Sequence, residues 1–539
     1  MSKNDKALMT RALEQPTLWR PAGAMTPKKA GAAVCSFLDA ATTSLGRATH
    51  YNSREEQQKA ELSAHDGLFK TSRDLYAVLL ALPGLTDRSV GVGLKTLLSN
   101  PRNGKGEFLD PLQERAVLFH LVQALPPQRM LKLVEAFRVG DEELGLKKAN
   151  NARTRKLILR TLLSSPRLQL WAVKYRRKMK AALVHAWGER KASIIRSILA
   201  KDDPTHDELD MLRADVDSFA GDSKVARECA AFILGVRGKE TLPLLKAFSA
   251  AKTDIKAAKG IGFPPEVLEG IRGQFHKDVP HAVAVETAKD GMTAGQKMNM
   301  QREAKNAGVK VDLDPTQYDP VRLYLYAFEM GMDEKIQKAL AAKAKKLAAG
   351  FPAHYGTVGI VVDASASMAG DKTQALRPMA CALAMRDMLQ HVGDEAVVAY
   401  VGGTVGDSGS LVRPMGDTAL ADGLVQVLSS IPAPEAVFVV SDGYENCPAG
   451  RFAEVVAALK EIGIEVPIFH LNPVFASETT GCRELAPALV PTMPVRSPEG
   501  LGTTIIRGLL EADPLKGINA LVRLALVSGP VEMKALAKL

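Results

Sequence analysis

The chain has 539 residues, 46% of them hydrophobic and 24% charged, with a formal net charge of +10. This length allows two or three domains with full cores, and the composition excludes a disordered or fibrous protein. Because the sequence has no apolar run long enough to span a membrane, no apolar secretion signal and only five scattered cysteines, we expect a cytoplasmic protein with reduced thiols.

The charge is distributed unevenly along the chain. Residues 351–513 hold 9 Lys/Arg and 19 Asp/Glu, a net of −10, whereas the first 350 residues carry a net of +17. Most of that positive charge lies in residues 147–201, which contain 16 Lys/Arg and the single acid Glu189. Such an asymmetry is expected when one half of a protein meets nucleic acid.

The first 350 residues predict a helical domain. Hardly any alternating strand pattern occurs before residue 357, and proline-containing breaks separate the periodic segments. Apolar residues recur at spacings of three and four in Leu109–Leu125, Met130–Phe137, Leu157–Leu163, Val173–Trp187 and Val321–Met330. Many short helices favour an α-solenoid of HEAT-like repeats over a single bundle. Ala339–Ala349 is predicted to be a helical connector into the next domain.

A basic segment within this region is a candidate binding surface. On a helix, Lys174, Arg177 and Lys178 share one face. Rows of cations can follow a phosphate backbone, and Tyr175 and Trp187 could stack on exposed bases. The alternative is a solvated helix face with core aromatics, but the near absence of acids favours an anionic polymer. The candidate RNA-binding residues are Arg153, Arg155, Lys156, Arg160, Lys174, Arg176, Arg177, Lys178, Lys180, His185, Arg190, Lys191 and Arg196.

The most informative motif follows a predicted buried strand, Val358–Val362. Asp363, Ser365 and Ser367 come directly after it, at alternate positions on a turn. A carboxylate and two hydroxyls are hard oxygen ligands with one formal charge among them. They suit Mg²⁺, which keeps waters and an open coordination position. The alternative is a serine-rich turn in some other α/β domain without a metal.

The sequence after this motif predicts an α/β domain. The predicted elements are a helix at Gln374–Gln390, a strand at Ala396–Val401, a helix at Ala419–Leu428, and strands at Ala436–Val440 and Val466–Leu471. Helices alternating with strands imply a doubly wound, mostly parallel sheet. Ligands of such sheets bind at the carboxyl ends of the strands.

The motif resembles the metal-ion-dependent adhesion site of von Willebrand factor A domains. The resemblance implies that a threonine and a second aspartate complete the site, at Thr418 and at Asp442. Thr404 is a rival for the threonine, but it directly follows a strand, whereas Thr418 precedes a helix as the family pattern requires. The implied ligands of Mg²⁺, or of another divalent cation, are Asp363, Ser365, Ser367, Thr418 and Asp442. Domains of this kind bind acidic ligands through the metal and do not usually do chemistry.

A helical region followed by an A-type domain resembles the Ro autoantigen (TROVE-domain) family. Short local similarities occur at Leu45–Asn52, Val173–Arg177, Met292–Met300 and Pro320–Phe328. The first departs from the family, since His50 and Tyr51 stand where two aromatics are usual. The resemblance implies a ring of helical repeats closed by the A domain. It also implies that the central hole binds single-stranded ends of misfolded RNAs, and that the outer basic surface binds small structured Y RNAs.

We therefore predict an RNA-binding helical domain at residues 1–350, an A-type domain at 351–513 and a helical tail at 514–539. We predict no catalytic residues, because the chain has no Walker A, nucleophile-elbow, His-Glu-x-x-His or paired-cysteine pattern, and its ten histidines are dispersed. The expected partners are small non-coding RNA, single-stranded RNA ends and a protein at the metal site, with no membrane. The alternative function is an A-domain adaptor that recruits a protein machine such as a ring ATPase, which does not explain the basic segment.

Overall fold

The computed structural model describes residues 17–43, 53–102, 104–139, 149–292, 294–299, 301, 311–349, 351, 354–370, 375–405, 411–473, 483–510 and 513–528. Contacts divide the chain into two compact units: residues 1–94, 102–121 and 318–539 form the first, and 95–101 and 122–317 form the second. The first unit therefore crosses the boundary that we place at residue 350 from the sequence. The limits of the three sequence-derived domains stay a prediction.

The described residues before the sheet are helical, as predicted. The first group is α1 Pro27–Thr43, α2 Arg54–Thr71, α3 Arg73–Leu79, α4 Asp87–Ser99, α5 Pro111–Ala124, α6 Pro127–Val139, α7 Ala152–Leu163, α8 Leu168–Lys174 and α9 Arg176–Trp187. The second group is α10 Glu189–Ala200, α11 His206–Asp215, α12 Ser223–Leu234, α13 Pro243–Ala250, α14 Pro265–Phe275, α15 His281–Ala288, α16 Ala294–Asn299, α17 Pro320–Met330 and α18 Glu334–Ala348. None of the helices in the described residues is long and apolar enough to span a membrane.

Local capping chemistry fixes several of these helix ends. Ser53 and Glu56 form a reciprocal capping box at the start of α2, and Asn151 accepts a hydrogen bond from the backbone N–H of Thr154 at the start of α7. Gly235 ends α12 with a left-handed φ of 97°.

One expectation about the basic segment is wrong. The sequence places Lys174, Arg177 and Lys178 on one face of a helix, but Tyr175 has a φ of −117° and a ψ of 25° and separates α8 from α9. Lys174 therefore ends one helix, while Arg177 and Lys178 lie in the next. Apolar spacing alone could not show the break, because buried residues continue on both sides of Tyr175 at spacings that suit one helix or two.

The C-terminal region contains a parallel five-stranded sheet. Its strands lie in the order β2-β1-β5-β6-β7, and a separate antiparallel pair joins β3 to β4. The strands are β1 Tyr355–Asp363, β2 Gly393–Val401, β3 Thr404–Val405, β4 Val412–Arg413, β5 Ala436–Val440, β6 Ile468–Asn472 and β7 Thr492–Pro494. The helices of this region are α19 Arg377–Leu389, α20 Leu420–Leu428, α21 Arg451–Glu461, α22 Leu501–Leu509 and α23 Pro514–Ser528. The α/β architecture and the four predicted strands are confirmed.

The sheet core explains why these strands could be found in the sequence. Every residue of β5 is buried, and β1 is buried at all positions but one. Strands covered on both faces appear in a sequence as continuous apolar runs. Buried residues of α20 and α21, including Leu424 and Phe452, pack in one core cluster with Val361 and Val439 of the sheet.

Within the first unit, the start of the chain packs against its C-terminal helices. The Asn519 side chain in α23 accepts hydrogen bonds from the backbone N–H groups of Leu18 and Trp19, both at 2.7 Å. Arg507 in α22 donates two hydrogen bonds to the carboxylate of Asp39 in α1, each at 2.8 Å. These contacts join segments roughly 470 to 500 residues apart in sequence.

Candidate functional site

The carboxyl edge of the sheet holds the acidic end of β1. Asp363 is fully buried, and its Oδ1 accepts a hydrogen bond from the backbone N–H of Ser365 at 2.9 Å. Its Oδ2 accepts one from the Ser441 hydroxyl at 2.6 Å. The Oγ atoms of Ser365 and Ser367 are 3.1 Å apart, so the three residues of the motif form one polar cluster.

The second aspartate joins this cluster through the neighbouring strand. Val362 of β1 lies opposite Val440 of β5, so the residues that follow each strand are neighbours. Asp442 is 5% exposed, accepts a hydrogen bond from the Tyr444 N–H at 3.0 Å and hydrogen-bonds to the Ser367 side chain. The structure thus brings Asp363, Ser365, Ser367 and Asp442 together.

Thr418 is held at the same edge by two loops. The backbone N–H of Ala366 donates to the carbonyl of Gly416, which links the Thr418 loop to the motif. Thr418 itself is 3% exposed, and its N–H donates to Oδ1 of Asn446 at 2.8 Å. The rival Thr404 is exposed in the short antiparallel strand β3. These positions favour Thr418 as the fifth member of the site.

The pKa values of the two carboxyl groups, Asp363 and Asp442, are both raised. Burial raises the pKa of Asp363 to about 6 despite hydrogen bonds from Ser365 and Ser441, and the charge of Asp442 raises it as well. Burial also raises the pKa of Asp442, while hydrogen bonds from Tyr444 and Ser367 and the charge of Arg483 oppose the shift. Because each carboxylate is costly to ionise when it is buried near the other, a cation bound between them would be stabilised.

The residues present fit a hard divalent cation. The donor set contains carboxylate and hydroxyl oxygens only, which is the chemistry that Mg²⁺ prefers. No group of three or more His, Cys, Asp or Glu suited to a metal occurs in the described part of the chain. The proposed site has only two acidic residues, and hydroxyl groups supply its remaining oxygen donors.

Several supporting residues could not be assigned a role from the sequence. His470 is fully buried, its Nε2–H donates to the carbonyl of Ser441 at 3.0 Å, and its Nδ1 accepts from the Thr492 hydroxyl at 2.8 Å. Asn472 donates to the carbonyl of Asp442 at 3.0 Å. Ser441 was visible in the motif around Asp442, but only the pairing of β1 with β5 shows that its hydroxyl orients Asp363.

The candidate RNA-binding residues lie in the second unit, on or beside α7 to α10. Eight of the thirteen are exposed: Lys156, Arg160, Arg177, Lys178, Lys180, Arg190, Lys191 and Arg196. The other five are partly buried. Among the described residues, no acidic side chain pairs with Arg177, Lys178 or Lys180.

Some members of the basic segment have structural partners instead. Lys174, only 12% exposed, pairs with Glu266 at 2.8 Å. The Arg176 guanidinium lies 4.8 Å from the ring centroid of Phe232, and burial lowers the pKa of Arg176. Trp187 is 7% exposed and donates to the carbonyl of Asp215, so it belongs to the core rather than to a stacking surface.

Neither a protein-family model nor a curated protein matches this sequence. The resemblance to the Ro family therefore depends on the residues quoted above. Of these, Leu45–Asn52 lies outside the described residues, while Pro320–Phe328 lies within α17.

Proposed function

We propose that this chain is a non-catalytic RNA-binding protein of the Ro type. Its helical region binds small structured non-coding RNA and single-stranded RNA ends, and its A-type domain holds a divalent cation for an acidic ligand. The observation that carries the RNA part is the row of exposed cations on α9 and α10, in a segment whose only acid is Glu189. Lys191 pairs with Asp215 at 2.9 Å, but cations still predominate on this surface. Such a surface attracts a polyanion, which releases its counterions on binding.

The proposal includes a ring of helical repeats closed by the A-type domain. A ring requires the start of the helical region to meet the C-terminal part of the chain. The pairing of Asp39 with Arg507, and the hydrogen bonds between Trp19 and Asn519, support this requirement within the first unit.

The metal part of the proposal rests on the oxygen donors at the sheet edge. Asp363, Ser365, Ser367, Thr418 and Asp442 would hold the cation. When bound, the cation would attract and orient a carboxylate oxygen of a ligand. The Ser441 hydroxyl holds the Asp363 carboxylate in place, and His470 holds Ser441 by a hydrogen bond to its carbonyl.

Reversing exposed cations tests the RNA proposal. We expect Arg177, Lys178, Lys180 and Arg190, all changed to Glu, to weaken binding of a small structured RNA about a hundredfold or more at moderate salt. The salt dependence should also flatten, since each lost phosphate contact removes roughly 0.7 to 0.9 from the slope of log K against log salt. Filter binding over a salt series measures both quantities.

A matched control comes from another exposed helix. Reversing four exposed lysines of α18, namely Lys335, Lys338, Lys345 and Lys346, changes the net charge by the same amount. The proposal predicts a much smaller loss for this variant. Equal losses in the two variants would mean that total charge, rather than this surface, determines binding.

Asp363→Asn tests the metal proposal. Asparagine keeps a carbonyl oxygen for the Ser365 N–H, and its amide N–H can donate to the Ser441 hydroxyl, which donates to the carboxylate in the native chain. The substitution removes the negative charge. We expect at least about tenfold weaker binding of Mg²⁺ or Mn²⁺ with an unchanged circular dichroism spectrum. Asp422→Asn, at an exposed position of α20, is the matched control. Unchanged affinity in Asp363→Asn would reject the site.

The metal-site geometry also favours a second function, an adaptor that captures a protein partner, for example a ring ATPase. Two experiments separate the functions. Salt-sensitive co-purification of RNA supports the first, whereas capture of an ATPase partner by RNA-free protein, lost in Asp363→Asn, supports the second. Equal loss of RNA binding from the metal-site variant alone would also count against the first.

A further inference from the structure

The backbone of Thr418 lies just outside helix α20. Ala419, which follows it, has a φ of −108° and a ψ of 65°, and the helical hydrogen bonds of α20 begin at the Ala419 carbonyl. The helix therefore satisfies neither the N–H nor the carbonyl of Thr418. Because Thr418 is buried, both groups need partners from elsewhere in the fold.

Asn446 is a partner of both groups. Its Oδ1 accepts a hydrogen bond from the Thr418 N–H at 2.8 Å, and its own backbone N–H donates to the Thr418 carbonyl at 3.3 Å. The N–H of Cys447 donates to the same carbonyl at 3.2 Å. Of these hydrogen bonds, only the one to Oδ1 depends on a side chain, so a substitution at Asn446 can remove it alone.

The loop between β5 and α21 carries Asp442 as well as these residues. Glu445 of the same loop accepts a hydrogen bond from the N–H of Ala421 at the start of α20, at 3.1 Å. It accepts another from the N–H of Phe452 at the start of α21, at 2.7 Å. Because this loop also holds the backbone of Thr418, it sets the spacing of two proposed metal ligands, Thr418 and Asp442.

We propose that Asn446 is a positioning residue for the metal site and that it acts through Thr418. The inference rests on the proposed metal site and adds a residue that gives no oxygen to the cation. The Asn446 amide holds the peptide from which the Thr418 side chain starts, and so fixes where the Thr418 hydroxyl lies relative to Asp442. A residue that orients a ligand in this way strengthens metal binding without contact to the metal.

Mn²⁺ titration of the full chain in a double-mutant cycle tests the inference. Asn446→Ala removes the side-chain hydrogen bond and should weaken Mn²⁺ binding about three- to tenfold. Thr418→Val removes the hydroxyl and keeps the branched shape. In that background no hydroxyl is left to position, so Asn446→Ala should change the affinity by less than about twofold. Asn446→Asp keeps the acceptor and should bind Mn²⁺ at least as tightly as the native chain.

Hydrogen exchange of the metal-free chain gives an independent measurement. In EDTA, the Thr418 amide should exchange about three- to tenfold faster in Asn446→Ala than in the native chain, because the N–H has lost its acceptor. Gln426→Ala is the matched control, since it removes an exposed side-chain amide from α20. It should match the native chain in both measurements.

Equal weakening by Asn446→Ala in the native and Thr418→Val backgrounds overturns the inference and leaves the metal site standing, because Asn446 would then act elsewhere in the site. Unchanged exchange of the Thr418 amide in Asn446→Ala overturns it too. So does Mn²⁺ binding by Asn446→Asp that is as weak as binding by Asn446→Ala. Absence of Mn²⁺ binding by the native chain overturns both the metal site and the inference.

Discussion

Protonation of His65 should make the first unit sensitive to acid. The side chain is 1% exposed, its Nδ1 lies 2.7 Å from the Tyr76 hydroxyl, and its ring packs edge-on against Phe37 at a centroid distance of 5.1 Å. Burial lowers the pKa of His65 to about 3, and the charge of Arg88 lowers it as well. The folded chain therefore keeps this imidazole neutral down to strongly acid pH.

The sign of the effect follows from proton binding in the two states. In the unfolded chain a histidine has a pKa of about 6.5, so below that pH the unfolded state binds a proton that the folded state does not. Stability is therefore lost as the pH falls from about 6.5 towards 3. At pH 4.5 the loss is about 2.7 kcal/mol, taking 1.36 kcal/mol for each of roughly two pH units.

Replacing His65 with glutamine removes this titration and keeps a polar group. We expect His65→Gln to be less stable than the native chain at pH 7.5, because ring packing is lost. The deficit should shrink by about 2 to 3 kcal/mol at pH 4.5. Amide hydrogen exchange of Arg54–Thr71, the helix that carries His65, measures the difference at each pH. His206→Gln, at a side chain that is 81% exposed, is the matched control. A deficit that is the same at both pH values refutes the reasoning.

Two further predictions concern packing and RNA. The buried Arg386 guanidinium pairs with Asp387 and donates to the hydroxyls of Tyr324 and Tyr400. Arg386→Ala should therefore destabilise the first unit by about 3 to 5 kcal/mol in urea unfolding. Arg386→Lys should recover only part of this loss. If the helical region closes into a ring, a hairpin with a 3′ single-stranded overhang should outcompete a blunt hairpin of equal charge, since a narrow hole admits a strand but not a duplex. Equal affinity would reject threading, though not binding at the outer surface.

The sheet and the polar cluster at its edge were accessible from the sequence for a physical reason. Parallel strands covered on both faces are continuous apolar runs, and their carboxyl ends meet at one edge. Val358–Val362 and Ala436–Val440 therefore predict two strands that lead to Asp363 and Asp442 at the same edge, and the resemblance to A domains implies that these two aspartates belong to one site. The hydrogen bonds of Ser441 and His470 depend on strand register, which no single run reveals.

Local sequence pattern could not predict which cations of the basic segment are exposed. Spacing alone treats Lys174 as equivalent to Arg177 and Lys178, but a helix break at Tyr175 separates them. Glu266, 92 residues away in sequence, then pairs with Lys174. Charge composition identifies a basic region, whereas the choice of which cations stay exposed depends on long-range partners. This is why the test variant uses Arg177, Lys178, Lys180 and Arg190.

The two proposed binding activities should respond differently to salt, and this separates them without any mutation. RNA held through backbone phosphates displaces condensed counterions, so its affinity falls by orders of magnitude between low and moderate salt. A cation held by Asp363, Asp442 and neighbouring hydroxyls is bound in a buried cluster, where mobile ions screen much less. Raising the salt should therefore release RNA while the metal site stays loaded. A partner that remains bound at high salt and leaves on chelation is bound at the sheet edge, and one that leaves with salt alone is bound by the basic helices.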